Sequence, residues 1–317
     1  MTPSELTARM ESYLSLRRAM GFPMKLEESQ LRDFVAFLTA KGASGRITAQ
    51  LAVEWACSSP RCGASARAGR LNTVRGLLRY LSAFVSEVEV PQAGLLAGRR
   101  RNKPYLFSPV EIQQLLEGAS RLQSESALWP QTVATVIGLV ASTGLRSKES
   151  LKLTVADVQL DREPPRLLIR ETKFRKSRIV PLHVTTATKL RQYADQRRRL
   201  GYDGRCEAFF ISERGKQARY SRLYKCVQAL VRDMGIQPHS GSGRFPGLHC
   251  LRHTFAVQRL LAWQEQGLDV KALLPHLSVY LGHRDPVETY WYLTATPALL
   301  TAAAQRFADY VGTGVQQ

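Results

Sequence analysis

Arginines and histidines placed beside a glycine turn or at helical spacing give this sequence its candidate chemistry. Arg146 follows a turn at Gly144 and stands at a predicted helix start, where backbone N–H groups also favour an anion. Glu149, three residues further on, can pair with that guanidinium across one helical turn. His249 and Arg252 are also three residues apart, so a helix would present both on one face. Guanidinium and imidazole groups in this pattern suit an anionic group such as a phosphate.

Two further segments offer a nucleophile and a proton donor. Tyr292 lies nine residues after His283, which itself follows a Leu-Gly step. Lys173 occupies the turn of a predicted hairpin, a flexible arm that could deliver a proton to a leaving oxygen. Lys176 is the competing candidate on the same arm, and Tyr290 stands two residues before Tyr292.

Each of these residues also has an ordinary structural explanation. An Arg/Glu pair on a helix usually contributes only to the helix itself. A lysine in a turn is usually solvated, and a tyrosine among other aromatic residues usually packs in a core or an interface. We interpret His253, which follows Arg252, as a packing histidine. The prediction of chemistry therefore depends on the combination of residues and their order.

Taken in order, the segments resemble the tyrosine recombinase, or phage integrase, family. Its pattern is Thr-Gly-Leu-Arg-x-x-Glu, a hairpin lysine before Arg-x-Val-Pro-Leu, His-x-Leu-Arg-His-Thr, Leu-Gly-His, and a tyrosine nine residues after that histidine. The matching residues here are Thr143–Glu149, Lys173 before Arg178–Leu182, His249–Thr254, Leu281–His283 and Tyr292. The resemblance spans residues 108–296, and its nine-residue step selects Tyr292 over Tyr290.

The resemblance implies that the protein cleaves and rejoins DNA strands. The catalytic residues it implies are Arg146, Lys173, His249, Arg252, His283 and Tyr292. The arginines would clamp the non-bridging oxygens of the scissile phosphate, and the histidines would supply hydrogen bonds or proton transfer. The tyrosine would attack the phosphorus to give a 3′-phosphotyrosyl link, with the lysine as general acid. Because a phenol has a pKa near 10, the positive cluster must stabilise the developing phenolate.

We expect no metal ion and no cofactor. The sequence has no clustered carboxylates of the kind that hold two Mg²⁺ ions, and no Walker-type glycine-rich loop for ATP. The covalent link would conserve the energy of the phosphodiester, so a second DNA end can reverse the reaction.

The elements that must position these residues are predicted to be mainly helical. Apolar residues recur at helical spacing through the first half, which predicts a bundle of four or five helices. In the second half, residues 153–158, 166–172 and 178–182 predict three strands. A stretch rich in Gly, Ser and Pro at 238–246 predicts a loop between later helices. We therefore expect a mainly α protein with a small antiparallel β-sheet in its C-terminal domain.

The basic run near residue 100 divides the chain into two expected domains. Residues 1–98 form a helical N-terminal DNA-binding domain, 99–105 a basic linker, and 106–317 a catalytic domain that ends in a helical tail. By resemblance, the two domains would form a DNA clamp. The tail, residues 297–317, would dock on its own domain or on a neighbouring protomer.

Composition points to the class of partner. The chain has 317 residues with 45 Lys and Arg against 26 Asp and Glu, which gives a formal charge of +19. The excess is +8 in residues 1–104 and +11 in residues 105–317, as expected if both halves contact one polyanion. The five cysteines are scattered, no signal peptide is evident, and no apolar stretch approaches the length of a membrane span. We expect a soluble cytoplasmic protein that binds double-stranded DNA and no membrane.

By resemblance, the chain would act as a homo-oligomer, a tetramer on DNA, or in a complex with related recombinases. Two rival functions are also consistent with the sequence. One is a type IB topoisomerase-like relaxation of DNA, and the other is a non-cutting DNA-binding subunit of a recombination complex. The segment Thr289–Leu293 resembles recombinases of mobile elements more than those of chromosome maintenance. The sequence leaves open the DNA target and the choice among integration, excision, transposition and dimer resolution.

Overall fold

The structure is a computed structural model that describes residues 1–60, 62–98, 104–170, 177–238, 245–283, 285 and 287–295. The chain divides into two compact units, residues 1–102 and residues 103–317. Within these described ranges, no helix has both the length and the hydrophobicity that a bilayer span needs.

In its described part, the first unit is a bundle of four helices. They are α1 (Pro3–Ala19), α2 (Lys25–Ala40), α3 (Ala49–Cys57) and α4 (Ala64–Leu81). Helix α1 begins with a capping box, in which the Thr2 hydroxyl accepts from the N–H of Glu5 and the Glu5 carboxylate accepts from the N–H of Thr2. Apolar side chains about one turn apart on these helices form the core of the unit: Leu6, Met10, Leu14, Leu31, Phe34, Leu38, Trp55, Val74, Leu77, Leu78 and Leu81.

The second unit is also mainly helical. Its described helices are α5 (Pro109–Ser120), α6 (Leu128–Thr143), α7 (Ser147–Ser150), α8 (Val184–Arg199), α9 (Tyr220–Asp233), α10 (Leu248–Glu265), α11 (Val270–Leu281) and α12 (Val287–Ala295). Helix α6 packs against α5, α8 and α10, and Val133, Val136, Ile137 and Val140 are fully buried along it. Because α6 is apolar on most of its surface, it forms the centre of this unit.

A small antiparallel sheet lies within the second unit, as the sequence predicted. The described strands are β1 (Val158–Gln159), β2 (Arg166–Ile169) and β3 (Arg178–Pro181), in the order β1-β2-β3. Leu167 faces Val180 across β2 and β3, and both side chains are fully buried, whereas Ile179 on the opposite face is exposed. The mainly α fold with a small antiparallel sheet is thus confirmed.

The predicted strand at residues 153–158 is largely wrong. Residues Val155–Asp157 form a 3₁₀ turn, and the strand is only Val158–Gln159. The Asp157 carboxylate accepts hydrogen bonds from the backbone N–H of Thr154 at 3.1 Å and from its hydroxyl at 2.7 Å. These side-chain bonds favour a turn over an extended strand.

A second apolar cluster in this unit joins α10, α11 and α12. It contains Phe255, Leu260, Leu274, Leu277, Leu281 and Tyr292. Gly144, at the end of α6, lies against it with φ of +64°, and a Cβ there would be 2.5 Å from Cδ1 of Phe255. Only glycine fits this conformation and this close approach. The end of α6, the start of α10 and the end of α11 therefore meet at one point.

Candidate active site

The turn at the C-terminal end of α11 is the centre of the candidate site. Gly282 caps this helix with φ of +69°. Its carbonyl accepts from Nη2 of Arg146 at 2.9 Å, and the carbonyl of Leu281 accepts from Nη2 of Arg252 at 2.9 Å. The preceding carbonyl, that of Tyr280, accepts from Nε of Arg178 at 2.9 Å. The last carbonyls of a helix lack helical partners and carry partial negative charge, so they bind guanidinium groups well.

Arg146 lies at the N-terminal end of the short helix α7, as the sequence predicted for the residue after the glycine turn. Its Nη1 contacts Oε1 of Glu149 at 2.8 Å, which is the predicted pair across one turn. About 31% of its side chain is exposed. The guanidinium is therefore fixed by a carboxylate and a carbonyl and still open to solvent on one side.

Arg252 lies three residues after His249 on α10, as the sequence predicted. The sequence did not predict its burial, which leaves Arg252 only 1% exposed. Its Nη1 donates to the carbonyl of Gly144 at 2.7 Å, in addition to the bond to Leu281. Burial, together with the charge of Arg146, lowers the pKa of Arg252 to about 10. It remains a cation at neutral pH, and the two carbonyls explain how a buried guanidinium is satisfied.

Tyr292 lies on α12 and is 2% exposed. Its hydroxyl is 3.1 Å from Nδ1 of His253, and its ring stacks on that of His283 with centroids 6.3 Å apart. Burial raises the pKa of Tyr292, and the charge and hydrogen bonding of Arg252 oppose that rise. The phenol is thus protonated and covered in this conformation, with a cation beside it.

The two predicted histidines approach the cluster from α10 and from the turn. His249 lies in the first turn of α10, and the centroid of its ring is 4.4 Å from that of His253. Nδ1 of His283 is 2.6 Å from the Thr289 hydroxyl. Desolvation by the surrounding protein, together with Arg252 and Arg146, lowers the pKa of both rings, that of His283 to about 3. Both imidazoles are therefore neutral at pH 7.

The sequence pattern of the phage integrase family matches residues 107–298, more than half of this chain. The chain belongs to the phage integrase family. It is 37% identical over 302 residues to the integrase/recombinase y4rB of Sinorhizobium fredii. This alignment covers 94% of this chain and 95% of that protein. It is 30% identical over 185 residues to the tyrosine recombinase XerC of Roseiflexus castenholzii, or 56% of this chain and 54% of that protein.

The fold of this integrase-family chain is similar to that of the Tn1549 transposon integrase, solved in complex with transposon right end DNA. The TM-score is 0.63, with 17% sequence identity, and the match covers 97% of this chain and 100% of that chain. Members of the tyrosine recombinase family cleave and rejoin DNA strands. The chain is accordingly a DNA strand-transferase of this family.

Five of the six predicted catalytic residues of this integrase-family chain lie together: Arg146, His249, Arg252, His283 and Tyr292. Lys173 and its alternative Lys176 lie outside the described residues. So do most of the predicted basic linker, the centre of the 238–246 loop and the C-terminal tail at 297–317.

Two residues of this cluster, His253 and Arg178, were not predicted from the sequence. His253, which we had interpreted as a packing histidine, contacts the Tyr292 hydroxyl. Its position one turn after His249 on the same helix face was a signal for this placement. Arg178 was quoted only as part of a motif, and no local spacing links it to Glu149 or Tyr280, which it contacts.

The lowered pKa of His283 predicts a loss of stability in acid. An unfolded histidine binds a proton below about pH 6.5, but the folded ring stays neutral down to about pH 3. The unfolded state therefore gains protons first as the pH falls, and stability falls by up to about 1.4 kcal/mol for each pH unit below 6.5. We expect denaturant midpoints of the DNA-free protein to decline between pH 7 and pH 5, and His283→Asn to reduce that decline. An equal decline in both proteins would contradict the assignment.

Proposed function

We propose that this chain is a site-specific DNA recombinase with Tyr292 as its nucleophile and Arg146 and Arg252 as its phosphate clamp. The observation that carries the proposal is the pair of bonds from these arginines to the adjacent carbonyls of Gly282 and Leu281. Backbone groups hold the two guanidiniums side by side before any DNA is bound. Cations that the protein holds in place stabilise the charge that develops on a phosphate in its transition state.

The reaction follows from these groups. The Tyr292 oxygen forms a bond to phosphorus, and the bond from phosphorus to the 5′ oxygen breaks. Lys173, or Lys176 on the same predicted turn, gives a proton to that oxygen to leave a 5′-hydroxyl. Neutral His249 and His283 offer hydrogen bonds to the phosphate and accept or relay the phenol proton. Attack by the 5′-hydroxyl of a second DNA end then releases the tyrosine and completes strand exchange.

The partner is double-stranded DNA, contacted by both units of the chain, and the reaction unit is a tetramer of this chain or an assembly with related recombinases. The +19 charge supports the polyanionic partner. The names of the integrase/recombinase and transposon integrase relatives support integration, excision or transposition of a mobile element. We place the protein in the cytoplasm of the cell that holds this DNA.

A covalent-capture experiment tests the function. Purified protein is incubated with sheared genomic DNA of its source, adducts are trapped in denaturant, and the bound ends are sequenced to identify the site. A nicked duplex that carries this site should then accumulate a protein–DNA adduct, because the short strand beyond the cut diffuses away. Mass spectrometry should place the adduct on the peptide that contains Tyr292. Absence of any adduct would reject cleavage and favour the non-cutting subunit.

Strand exchange separates the recombinase from the topoisomerase-like alternative. The recombinase should join ends only when two copies of the selected site are present. Relaxation of a supercoiled plasmid that carries one site, with no joined products from two sites, would favour the alternative.

A further inference from the structure

Arg178 is an arginine of the cluster that has no assigned role in the proposed reaction. It is the first residue of β3, and its side chain is 11% exposed. Its Nη2 is 2.7 Å from Oε2 of Glu149, and its Nη1 is 3.4 Å from Oε1 of the same carboxylate. Its Nε donates to the carbonyl of Tyr280 at 2.9 Å. The planar guanidinium of Arg178 thus links β3 to α7 and to the end of α11.

Glu149 is shared between two arginines. On its other side it accepts from Nη1 of Arg146 at 2.8 Å and from the backbone N–H of Arg146 at 3.2 Å. Burial opposes ionisation, but the hydrogen bonds and charges of Arg178 and Arg146 hold the pKa of Glu149 below its usual value. The carboxylate is therefore an anion whose orientation is set from both sides.

Arg178 also lies directly against the turn that binds the other two arginines. Gly282 has a φ of +69°, which favours glycine, and a Cβ there would be 2.6 Å from Nη1 of Arg178. Arg178, Arg252 and Arg146 donate to the carbonyls of three successive residues, 280, 281 and 282. Each of the three guanidinium nitrogens of Arg178 contacts Glu149 or the Tyr280 carbonyl, so this side chain is placed to hold neighbouring groups.

We infer that Arg178 is a positioning residue, which orients Arg146 through their shared carboxylate Glu149 and braces the Leu281–His283 turn. The inference rests on the proposed function, because it assigns Arg178 a role through the phosphate clamp. Lysine cannot replace it, since a point charge on a flexible stem cannot bind both oxygens of Glu149 and the Tyr280 carbonyl together.

The test is a double-mutant cycle with Arg178→Lys, Glu149→Gln and the double variant, on the nicked duplex that carries the selected site. Arg197→Lys is the matched control, because Arg197 is also a buried arginine of the second unit. It pairs with Asp203 at 2.5 Å and donates to the carbonyl of Cys206 at 2.6 Å, but contacts none of the candidate site residues in the described structure. Single-turnover cleavage and DNA affinity are measured for each protein after circular dichroism has verified folding.

We expect Arg178→Lys to slow cleavage about 10- to 100-fold, as a misplaced clamp does, with DNA affinity within about twofold of wild type. The loss in the double variant should be smaller than the product of the two single losses, because both changes remove the link through Glu149. Arg197→Lys should cleave at the wild-type rate. Wild-type cleavage by Arg178→Lys, multiplied losses in the double variant, or an equal loss in Arg197→Lys would overturn the inference. An inactive wild-type protein would instead reject the proposed function.

Discussion

Replacing Tyr292 by phenylalanine should abolish covalent attachment to DNA and leave binding intact. The change removes the one atom that would attack phosphorus, so we expect adduct formation to fall at least about 10⁴-fold. The ring should keep its place, because it packs in the apolar cluster with Phe255 and Leu277. The lost hydrogen bond to His253 should cost only about 1 kcal/mol of stability.

Tyr290→Phe is the matched control for this prediction. Tyr290 lies two residues earlier on the same helix, but 45% of it is exposed to solvent. Removal of the Tyr290 hydroxyl should leave the yield of adduct on the nicked duplex unchanged. Bound DNA is measured in parallel by gel shift. An adduct from Tyr292→Phe, or loss of the adduct in Tyr290→Phe, would contradict the assignment of Tyr292 and indicate that Tyr290 is the nucleophile.

Arg252→Lys should give the second large effect, a loss of cleavage together with a measurable loss of stability. Lysine keeps the charge but cannot bridge the carbonyls of Gly144 and Leu281 while also facing a phosphate. We expect cleavage to slow about 10²- to 10³-fold, the usual result of losing one transition-state donor. Leaving a buried carbonyl without its donor should also cost about 1–3 kcal/mol of unfolding free energy.

The control for Arg252 is Arg259→Lys, an exposed arginine on the same helix α10. It should cleave and unfold like wild type. Rates are compared in single turnover at saturating protein, and stability is compared by chemical denaturation. Full cleavage by Arg252→Lys would mean that this arginine is structural and that the clamp depends on Arg146 with another group.

Local spacing was enough to predict some contacts of the site and not others. The pairing of Arg146 with Glu149 was predictable because the two residues are three positions apart on a helix. The placement of Tyr292 on the helix after His283 was predictable because the two residues are close in the sequence. The small sheet was predicted from its apolar runs, but its first strand was overestimated, because side-chain bonds from Asp157 turn the chain at Thr154.

The contacts that sequence reasoning missed are those between residues far apart in the chain. Arg178 reaches Tyr280 across 102 residues, and Arg252 reaches Gly144 across 108 residues. The burial of Arg252 likewise depends on how α6, α10 and α11 meet, which no periodicity within α10 encodes. Helical periodicity predicts which face of a helix is apolar, but not which polar backbone groups another element brings to it.

Because protein covers Tyr292 and Arg252, the rate of cleavage depends on the fraction of molecules in which these side chains are accessible. Because these side chains are only 2% and 1% exposed, we expect cleavage to proceed from a second, open state in which a phosphate can reach them. If that state holds about 1% of the free protein, opening costs about 2.7 kcal/mol, which a DNA site must supply through tighter binding to the open form. Two DNA sequences that bind the closed form equally well would then be cleaved at different rates if one of them binds the open form more tightly.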